Sequence, residues 1–86
     1  MTSFEKALLQ ILRGTSDTNV RFDDLRRVLA GLGFEERTRG GHRIFRRDDI
    51  DEILTLQPRG SKAKPYQVKQ VRQLILKHKL GSHGEE

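Results

Sequence analysis

The sequence predicts an α+β fold in which a three-stranded antiparallel sheet carries helices on one of its faces. Three observations lead to this fold class. Apolar residues recur at helical spacing near both ends of the chain, the spacing becomes strand-like after Gly33, and a Gly-Gly pair separates two strand-like segments. The chain has 86 residues, the size of one small domain, so we expect a single core and one surface site.

The first helix is predicted over residues 3–13. Its apolar stripe consists of Phe4, Ala7, Leu8, Ile11 and Leu12. Thr2 and Glu5 have the spacing of a capping box, and Gly14 ends the helix. The polar segment 14–19 that follows is predicted to be a connector.

A second helix is predicted to begin near Asp23. Asp23 and Asp24 suit the positive end of its dipole, and Gly33 supplies a left-handed C-terminal cap. Its buried stripe is formed by Leu25, Val28, Leu29 and Leu32.

Three strands are predicted next, over residues 34–39, 42–47 and 52–57. The pair Gly40-Gly41 forms a two-residue hairpin loop between the first two. A turn around residues 47–49 leads to the third strand, which Pro58 ends.

A basic loop, residues 58–64, precedes the last helix, which is predicted from Pro65 to about Lys79. Its core face consists of Val68, Val71, Leu74 and Ile75, and its solvent face of Lys69, Arg72 and Lys77. We divide the chain into an N-terminal helix and connector (1–19), a main domain (20–81) and a flexible tail (82–86). The α-β-β-β-α order has the outline of a double-stranded-RNA-binding domain, a fold that recognises RNA by its shape.

The composition excludes several classes of protein. The chain has no cysteine, which excludes disulfides, thiolate metal sites and cysteine nucleophiles. No apolar run approaches the length of a membrane span, and the N-terminus lacks the pattern of a secretory signal. We therefore expect a soluble protein of the cytoplasm without a membrane partner.

Positive charge is concentrated in the second half of the chain. Residues 1–36 carry six acidic and five basic side chains, whereas residues 37–84 carry twelve basic and four acidic ones. A net charge of +5 that is segregated in this way fits a polyanionic partner such as nucleic acid as well as it fits a merely solvated surface.

The most informative segment is the predicted hairpin turn at residues 39–46. Two glycines precede His42, so its side chain is little shielded and a phosphodiester backbone can approach closely. Arginines surround the histidine and are suited to phosphate; they are Arg39, Arg43, Arg46 and Arg47. His42 is therefore either an ordinary surface histidine or the centre of a cleavage site.

Metal-free RNA cleavage is the chemistry that these residues suit. An imidazole exchanges protons near neutral pH, so His42 can take the proton of a 2′-hydroxyl or give one to the leaving 5′-oxygen. The second acid–base partner stays open among Tyr66, a lysine and water. No cofactor or metal is expected, because the acidic segment 48–52 lacks the spacing of a calcium loop.

Other candidate binding residues lie in the last part of the chain. Lys62 and Lys64 precede a helix N-terminus and are candidates for phosphate binding, with Lys69 and Arg72 as weaker ones. Tyr66 is either a stacking platform for a base or a partly buried anchor of the helix.

At these residues the chain resembles the HicA family of toxins, the small RNA-cleaving partners of HicB antitoxins. The resemblance covers residues 22–80 and depends mainly on Leu32-Gly33-Phe34 and on the segment from Arg39 to Phe45. Family members typically have Gly-Ser-His at this turn, with the histidine catalytic. His42 corresponds to that histidine and Gly40 to the glycine, whereas Gly41 stands where the family usually has serine.

The resemblance implies a double-stranded-RNA-binding-domain-like fold and the activity of an mRNA interferase, an endoribonuclease of a type II toxin–antitoxin system. It also implies inhibition by a HicB-like antitoxin that covers the His42 face. Our leading hypothesis is such a toxin, with His42 catalytic and Arg39, Gly40, Gly41, Arg43 and Arg46 at the bound phosphates. A non-catalytic RNA-binding module and a protein-interaction domain are the alternatives.

Overall fold

The computed structural model describes residues 2–80. Its elements, in chain order, are α1 (Ser3–Arg13), a 3₁₀ turn (Asp17–Asn19), α2 (Phe22–Gly31), β1 (Glu35–Arg39), β2 (His42–Arg47), β3 (Ile50–Leu56) and α3 (Pro65–His78). The predicted α+β class and the order of helices and strands are confirmed. The expected tail at residues 82–86 lies outside the described part of the chain.

The three strands form an antiparallel sheet in the order β1-β2-β3. Arg39 pairs with His42, so the predicted two-residue loop between β1 and β2 is confirmed. β3 begins at Ile50, two residues earlier than expected, because Ile50 is buried and pairs with Arg47 across a tight turn. Its register with β2 shifts between Phe45 and Arg47.

The sheet has one covered face and one open face. Phe45, Leu54 and Leu56 are almost completely buried and point toward the helices. Since side chains alternate along a strand, His42, Ile44 and Arg46 of β2 point the opposite way. No helix covers that second face within residues 2–80, and we call it the open face.

α1 packs onto the same core as the rest of the chain. The predicted capping box between Thr2 and Glu5 is present, and Ala7, Leu8 and Ile11 are buried. The Phe4 ring lies so close to α2 that a Cβ atom on Gly31 would stand 2.5 Å from it. The N-terminal helix therefore adds a third helix to the covered side of the sheet.

Arg72 of α3 does not lie toward solvent as predicted. Its Nη1 donates to Asp17 Oδ1 at 2.9 Å and to the Ile11 carbonyl oxygen at 3.1 Å, and its Nη2 donates to Asp17 Oδ2 at 3.1 Å. The side chain is only 16% exposed. Its partners come from α1 and the 3₁₀ turn, so the helical period of α3 could not reveal them.

None of the helices within residues 2–80 is long and apolar enough to cross a membrane.

Candidate active site

His42 is the first residue of β2 and stands directly across from Arg39. Both side chains are exposed on the open face. Gly40 has a φ of 61°, while Gly41 lies outside the left-handed region, which is the φ pattern of a type II′ turn. The turn therefore presents His42 at the edge of the sheet with no side chain on the two residues before it.

The imidazole of His42 is free to meet a ligand. Within residues 2–80 no hydrogen bond or ion pair involves it, whereas the other histidine described, His78, is held by Glu52 at 2.7 Å. A histidine that is exposed, unpaired and next to an arginine can accept a proton from a bound substrate or donate one to it.

The end of β3 and the start of α3 lie at the same edge as the turn. β2 and β3 are antiparallel, so Gln57, which follows β3, is near the beginning of β2. A Cβ atom on Gly41 would lie 3.6 Å from Gln57 Nε2, an ordinary van der Waals contact. There is thus room at position 41 for a small side chain.

Gln67 ties the first turn of α3 to this edge. It is the one polar side chain among residues 2–80 that is almost completely buried, with 3% of its surface exposed. In the amide orientation that satisfies both groups, its nitrogen donates to the Gln57 carbonyl oxygen at 3.0 Å and its oxygen accepts from the Gln57 N–H at 3.2 Å. Neighbouring residues of α3 are thereby held beside the β1–β2 turn.

The basic loop, residues 58–64, folds back on the start of α2. The Phe22 N–H donates to the Ser61 carbonyl oxygen at 3.0 Å, and the Ala63 N–H donates to the Val20 carbonyl oxygen at 2.9 Å. These bonds gather four exposed or half-exposed cations. We call this group the basic edge; it consists of Arg21, Arg59, Lys62 and Lys64.

The two lysines of the basic edge are differently placed. Lys64 is the N-cap residue of α3, and its side chain makes no capping bond, so the helix N-terminus and this ammonium group are both open to an anion. Lys62 Nζ lies 3.4 Å from Asn19 Oδ1, a long contact with a neutral group that leaves its charge available.

Arg43 is engaged within the fold rather than at the site. It lies on the covered face with Phe45, and its Nη1 is 2.8 Å from Glu36 Oε2. The same carboxylate oxygen accepts from Arg26 Nε at 2.9 Å, and this hydrogen bond raises the pKa of Arg26. Arg43 and Arg72 are therefore held by acids of the protein, and the structure does not bring them to His42.

The remaining predicted residues are exposed. Arg46 is on the open face with His42, and Lys69 is on the solvent side of α3. Tyr66 is 64% exposed, so it is not the partly buried helix anchor that was the alternative interpretation. It stands next to Gln67 in the first turn of α3.

Sequence analysis did not identify Arg37, Arg21 and Arg59 as site residues. Arg37 could have been found from the alternation of strand β1, because it shares a face with Arg39. Arg59 belongs to the basic loop, so the position before a helix N-terminus that identified Lys62 could have identified Arg59 as well. Arg21 reaches the site only through its antiparallel bridge with Lys62, a long-range pairing that no local pattern indicates.

The acidic segment 48–52 is tied to cations of the protein. Asp49 Oδ1 lies 2.8 Å from Arg47 Nε. Glu52 accepts from Lys77 at 2.6 Å and contacts His78 at 2.7 Å, and these two hydrogen bonds lower the pKa of Glu52 to about 2. Among residues 2–80, no three His, Asp or Glu side chains come together in a group that could hold a metal ion.

Comparison with protein families gives a match over most of the chain. The family model described as the HicA toxin of bacterial toxin–antitoxin matches residues 22–79, which span α2, the whole sheet and α3. Comparison with curated proteins and with solved structures gives no significant match. The family model covers well over half of the chain and includes the glycine–histidine turn and the basic loop. The chain therefore belongs to the HicA family, the toxins of bacterial toxin–antitoxin systems.

Proposed function

We propose that this toxin is a metal-independent endoribonuclease that cleaves mRNA, with His42 as its single catalytic histidine. The observation that carries the proposal is the placement of His42. Its side chain is exposed at the rim of the sheet, makes no hydrogen bond or ion pair within residues 2–80, and stands across from Arg39. Membership of the HicA family supports a toxin, and the proposal adds the reaction.

The reaction would use the RNA's own 2′-hydroxyl as the nucleophile. His42 takes the proton of that hydroxyl, the 2′-oxygen bonds to the adjacent phosphorus, and the bond from phosphorus to the 5′-oxygen breaks. The leaving 5′-oxygen takes up a proton from Tyr66, a lysine or water. The products carry a 2′,3′-cyclic phosphate on one fragment and a 5′-hydroxyl on the other.

Arg39 is suited to hold the phosphate that reacts. Directly opposite residues of an antiparallel pair have Cβ atoms about 4.5–5.5 Å apart, so its guanidinium can contact a phosphate that His42 also reaches. Two guanidinium N–H groups fit two phosphate oxygens and stabilise the negative charge that grows in the transition state. Because Gly40 and Gly41 have no side chains, the RNA strand can come close to the backbone of the turn.

The other cations would hold the flanking phosphates. Lys62 and Lys64 lie on the basic edge, in the loop that follows Gln57, whose side chain is beside Gly41 of the turn. Lys69 continues this surface along α3, and Arg46 lies on the open face. Phosphate contacts of this kind fix the position of the RNA without selecting its sequence.

The family also implies an antitoxin as partner. We propose that a HicB-like antitoxin covers the His42 face, since blocking that exposed imidazole is the most direct way to stop the reaction. The mRNA substrate and the antitoxin would both be met in the cytoplasm.

The proposal is tested with a defined RNA in the presence of EDTA. The parent protein, His42→Gln and His78→Gln are compared by denaturing electrophoresis. His78→Gln is the matched control, because it removes an imidazole that is bound to Glu52 on the covered side. We expect cleavage by the parent and by His78→Gln, and none by His42→Gln. Cleavage by all three proteins would contradict the role of His42.

A non-catalytic RNA-binding module is the second candidate. It is favoured by Gly41, which leaves the turn without the hydroxyl that the family usually has there. This candidate predicts that the parent and His42→Gln shift RNA equally in a native gel and that neither cleaves it.

A further inference from the structure

The open face carries a row of arginines that begins at His42. The register of β1 and β2 pairs Arg39 with His42, Arg37 with Ile44, and Glu35 with Arg46. Residues paired in this way share a face of the sheet. Arg37, Arg39 and Arg46 therefore point away from the helices together with His42, and all four side chains are exposed.

These three arginines differ from those on the covered side. Within residues 2–80, none of the three makes an ion pair or a side-chain hydrogen bond. On the covered side, by contrast, arginines are neutralised by acids; they are Arg26, Arg27, Arg43, Arg47 and Arg72. The free guanidinium groups of the sheet thus lie on the face that the helices leave open.

The spacing of the row suits consecutive phosphates. Arg39 is directly across from His42. Arg37 is the diagonal neighbour of His42, with about 7–8 Å between the backbones of these two residues. Arg46 is four residues along β2, which is about 13 Å. The acids Glu35 and Asp51 lie at the end of the face that is distant from the turn, so neither of them is close to His42.

We infer that a single RNA strand lies across the open face of the sheet and that Arg37 holds a phosphate next to the one that reacts at His42. The inference rests on the proposed function and adds the path of the substrate. Arg37 touches the substrate but not the reacting atoms, so it contributes binding and alignment.

The composition of the face suits RNA better than a protein that binds mainly through apolar contacts. Ile44 is half-buried and Ile53 is 56% exposed, and we find no aromatic side chain on this face within residues 2–80. A stable protein interface needs an apolar centre, whereas a strand of phosphates needs free cations. Binding here would therefore be salt-sensitive and tolerant of sequence.

The arginines of α2 are not available to a duplex. A domain of this fold that binds double-stranded RNA contacts two successive minor grooves and the phosphates between them. Both arginines of α2 are already paired, Arg26 with Asp23 and Glu36, and Arg27 with Asp24, whereas the arginines of the open face are free.

The test measures binding in a His42→Ala background, so that cleavage does not interfere. The affinity for a fluorescent single-stranded oligouridine is measured by anisotropy from about 0.1 to 1 M salt. Each phosphate contact on a single strand contributes about 0.7 to the slope of log K against log salt. Arg37→Gln should therefore flatten the slope by about 0.7, which is a loss of about fivefold in affinity at 0.1 M salt.

Two control variants accompany it. Arg13→Gln removes the same charge from the exposed end of α1, on the covered side, and should change the slope by much less than Arg37→Gln. Arg37→Lys keeps the charge and should retain the parent's slope. Equal effects of Arg37→Gln and Arg13→Gln would overturn the inference, as would tighter binding of a matched RNA duplex or no RNA binding at all.

Two further outcomes keep this inference separate from the proposed function. If the parent binds oligouridine through Arg37 but cleaves no RNA, the proposed reaction is wrong and the binding path stands. If Arg37→Gln leaves RNA affinity unchanged and instead weakens the complex with an acidic protein partner, the open face is a protein interface and the inference is overturned.

Discussion

The two glycines of the β1–β2 turn should respond oppositely to a side chain, although they are neighbours and both are exposed. Gly40 has a φ of 61°, and a Cβ atom there would have no heavy atom within 4 Å. Gly41 lies outside the left-handed region, and its Cβ would make an ordinary contact of 3.6 Å with Gln57. Space is therefore available at both positions, and only backbone conformation separates them.

The expected difference in free energy of unfolding depends on two effects, one that both substitutions share and one that only Gly40→Ala has. Gly→Ala reduces the entropy of the unfolded chain and stabilises a protein by about 0.4–1 kcal/mol where the conformation permits. This gain is common to Gly40→Ala and Gly41→Ala. Left-handed backbone costs a residue with a Cβ atom about 1–2 kcal/mol, and only Gly40→Ala incurs that cost. The two variants should therefore differ by about 1–2 kcal/mol in free energy of unfolding.

Urea unfolding of the parent and both variants measures this difference, provided that the slope of free energy against urea is unchanged. Thermal midpoints give a second measurement, since 1 kcal/mol shifts the midpoint of a domain of this size by about 4–8 °C. Gly41→Ala should be at least as stable as the parent and Gly40→Ala less stable. Equal stabilities of the two variants would refute the turn geometry on which the site is built.

The same turn gives a prediction for catalysis. Gly41→Ser adds the hydroxyl that the family usually carries, and Gly41→Ala is its control with the same backbone and no hydroxyl. A hydrogen bond to a charged phosphate is worth about 1.5–3 kcal/mol, so Gly41→Ser should cleave RNA at least about tenfold faster than Gly41→Ala. Equal rates would show that no hydroxyl at this position reaches the phosphate.

Three further predictions concern the scaffold. Arg72→Gln should destabilise the protein by about 2–3 kcal/mol because it leaves the partly buried carboxylate of Asp17 without its partner. The salt dependence of RNA binding should be unchanged. A flatter slope of log K against log salt would show that Arg72 binds RNA. Gly31→Ala should lower the free energy of unfolding by about 1 kcal/mol because the added methyl group displaces the Phe4 ring. In a Phe4→Ala background the same substitution should be neutral or stabilising. Destabilisation in both backgrounds would contradict the packing of α1. The pKa of Glu52 is lowered from 4.5 to about 2 by its hydrogen bonds, so the carboxylate stabilises the fold above pH 4.5 and this contribution is lost as the pH falls toward 2. The stability difference between the parent and Glu52→Gln should therefore shrink as the pH falls over that interval. A constant difference would contradict the stabilising role of the Glu52 carboxylate.

The fold could be predicted from the sequence because its signals are local. The capping box at Thr2 and Glu5, the Gly40-Gly41 loop and Pro65 at the start of α3 each specify an element boundary without reference to the rest of the chain. Helical spacing identified the buried positions of α1, α2 and α3 for the same reason. The start of β3 was misplaced because Ile50 stands between Asp49 and Asp51, acids that are typical of a turn, although its burial and its pairing with Arg47 make it the first residue of the strand.

The site could be predicted only in part, because an arginine's role depends on distant partners. Arg43 and Arg39 are four residues apart and look alike in the sequence, yet Glu36 of β1 engages one and not the other. Gln67 looked like an ordinary polar residue of a helix, but it is buried because it satisfies both backbone groups of Gln57. Such pairings join residues of different elements and follow from the fold, not from local patterns.

The central claim is that His42 directs attack by the 2′-hydroxyl, and analysis of the product ends tests it most directly. A defined RNA is incubated in EDTA with the parent and, separately, with His42→Gln, and the fragments are weighed by mass spectrometry. We predict 2′,3′-cyclic phosphate and 5′-hydroxyl ends from the parent, no fragments from His42→Gln, and no cleavage of the same RNA when every 2′-hydroxyl is methylated. Fragments with 5′-phosphate ends, or cleavage of the methylated RNA, would contradict the account.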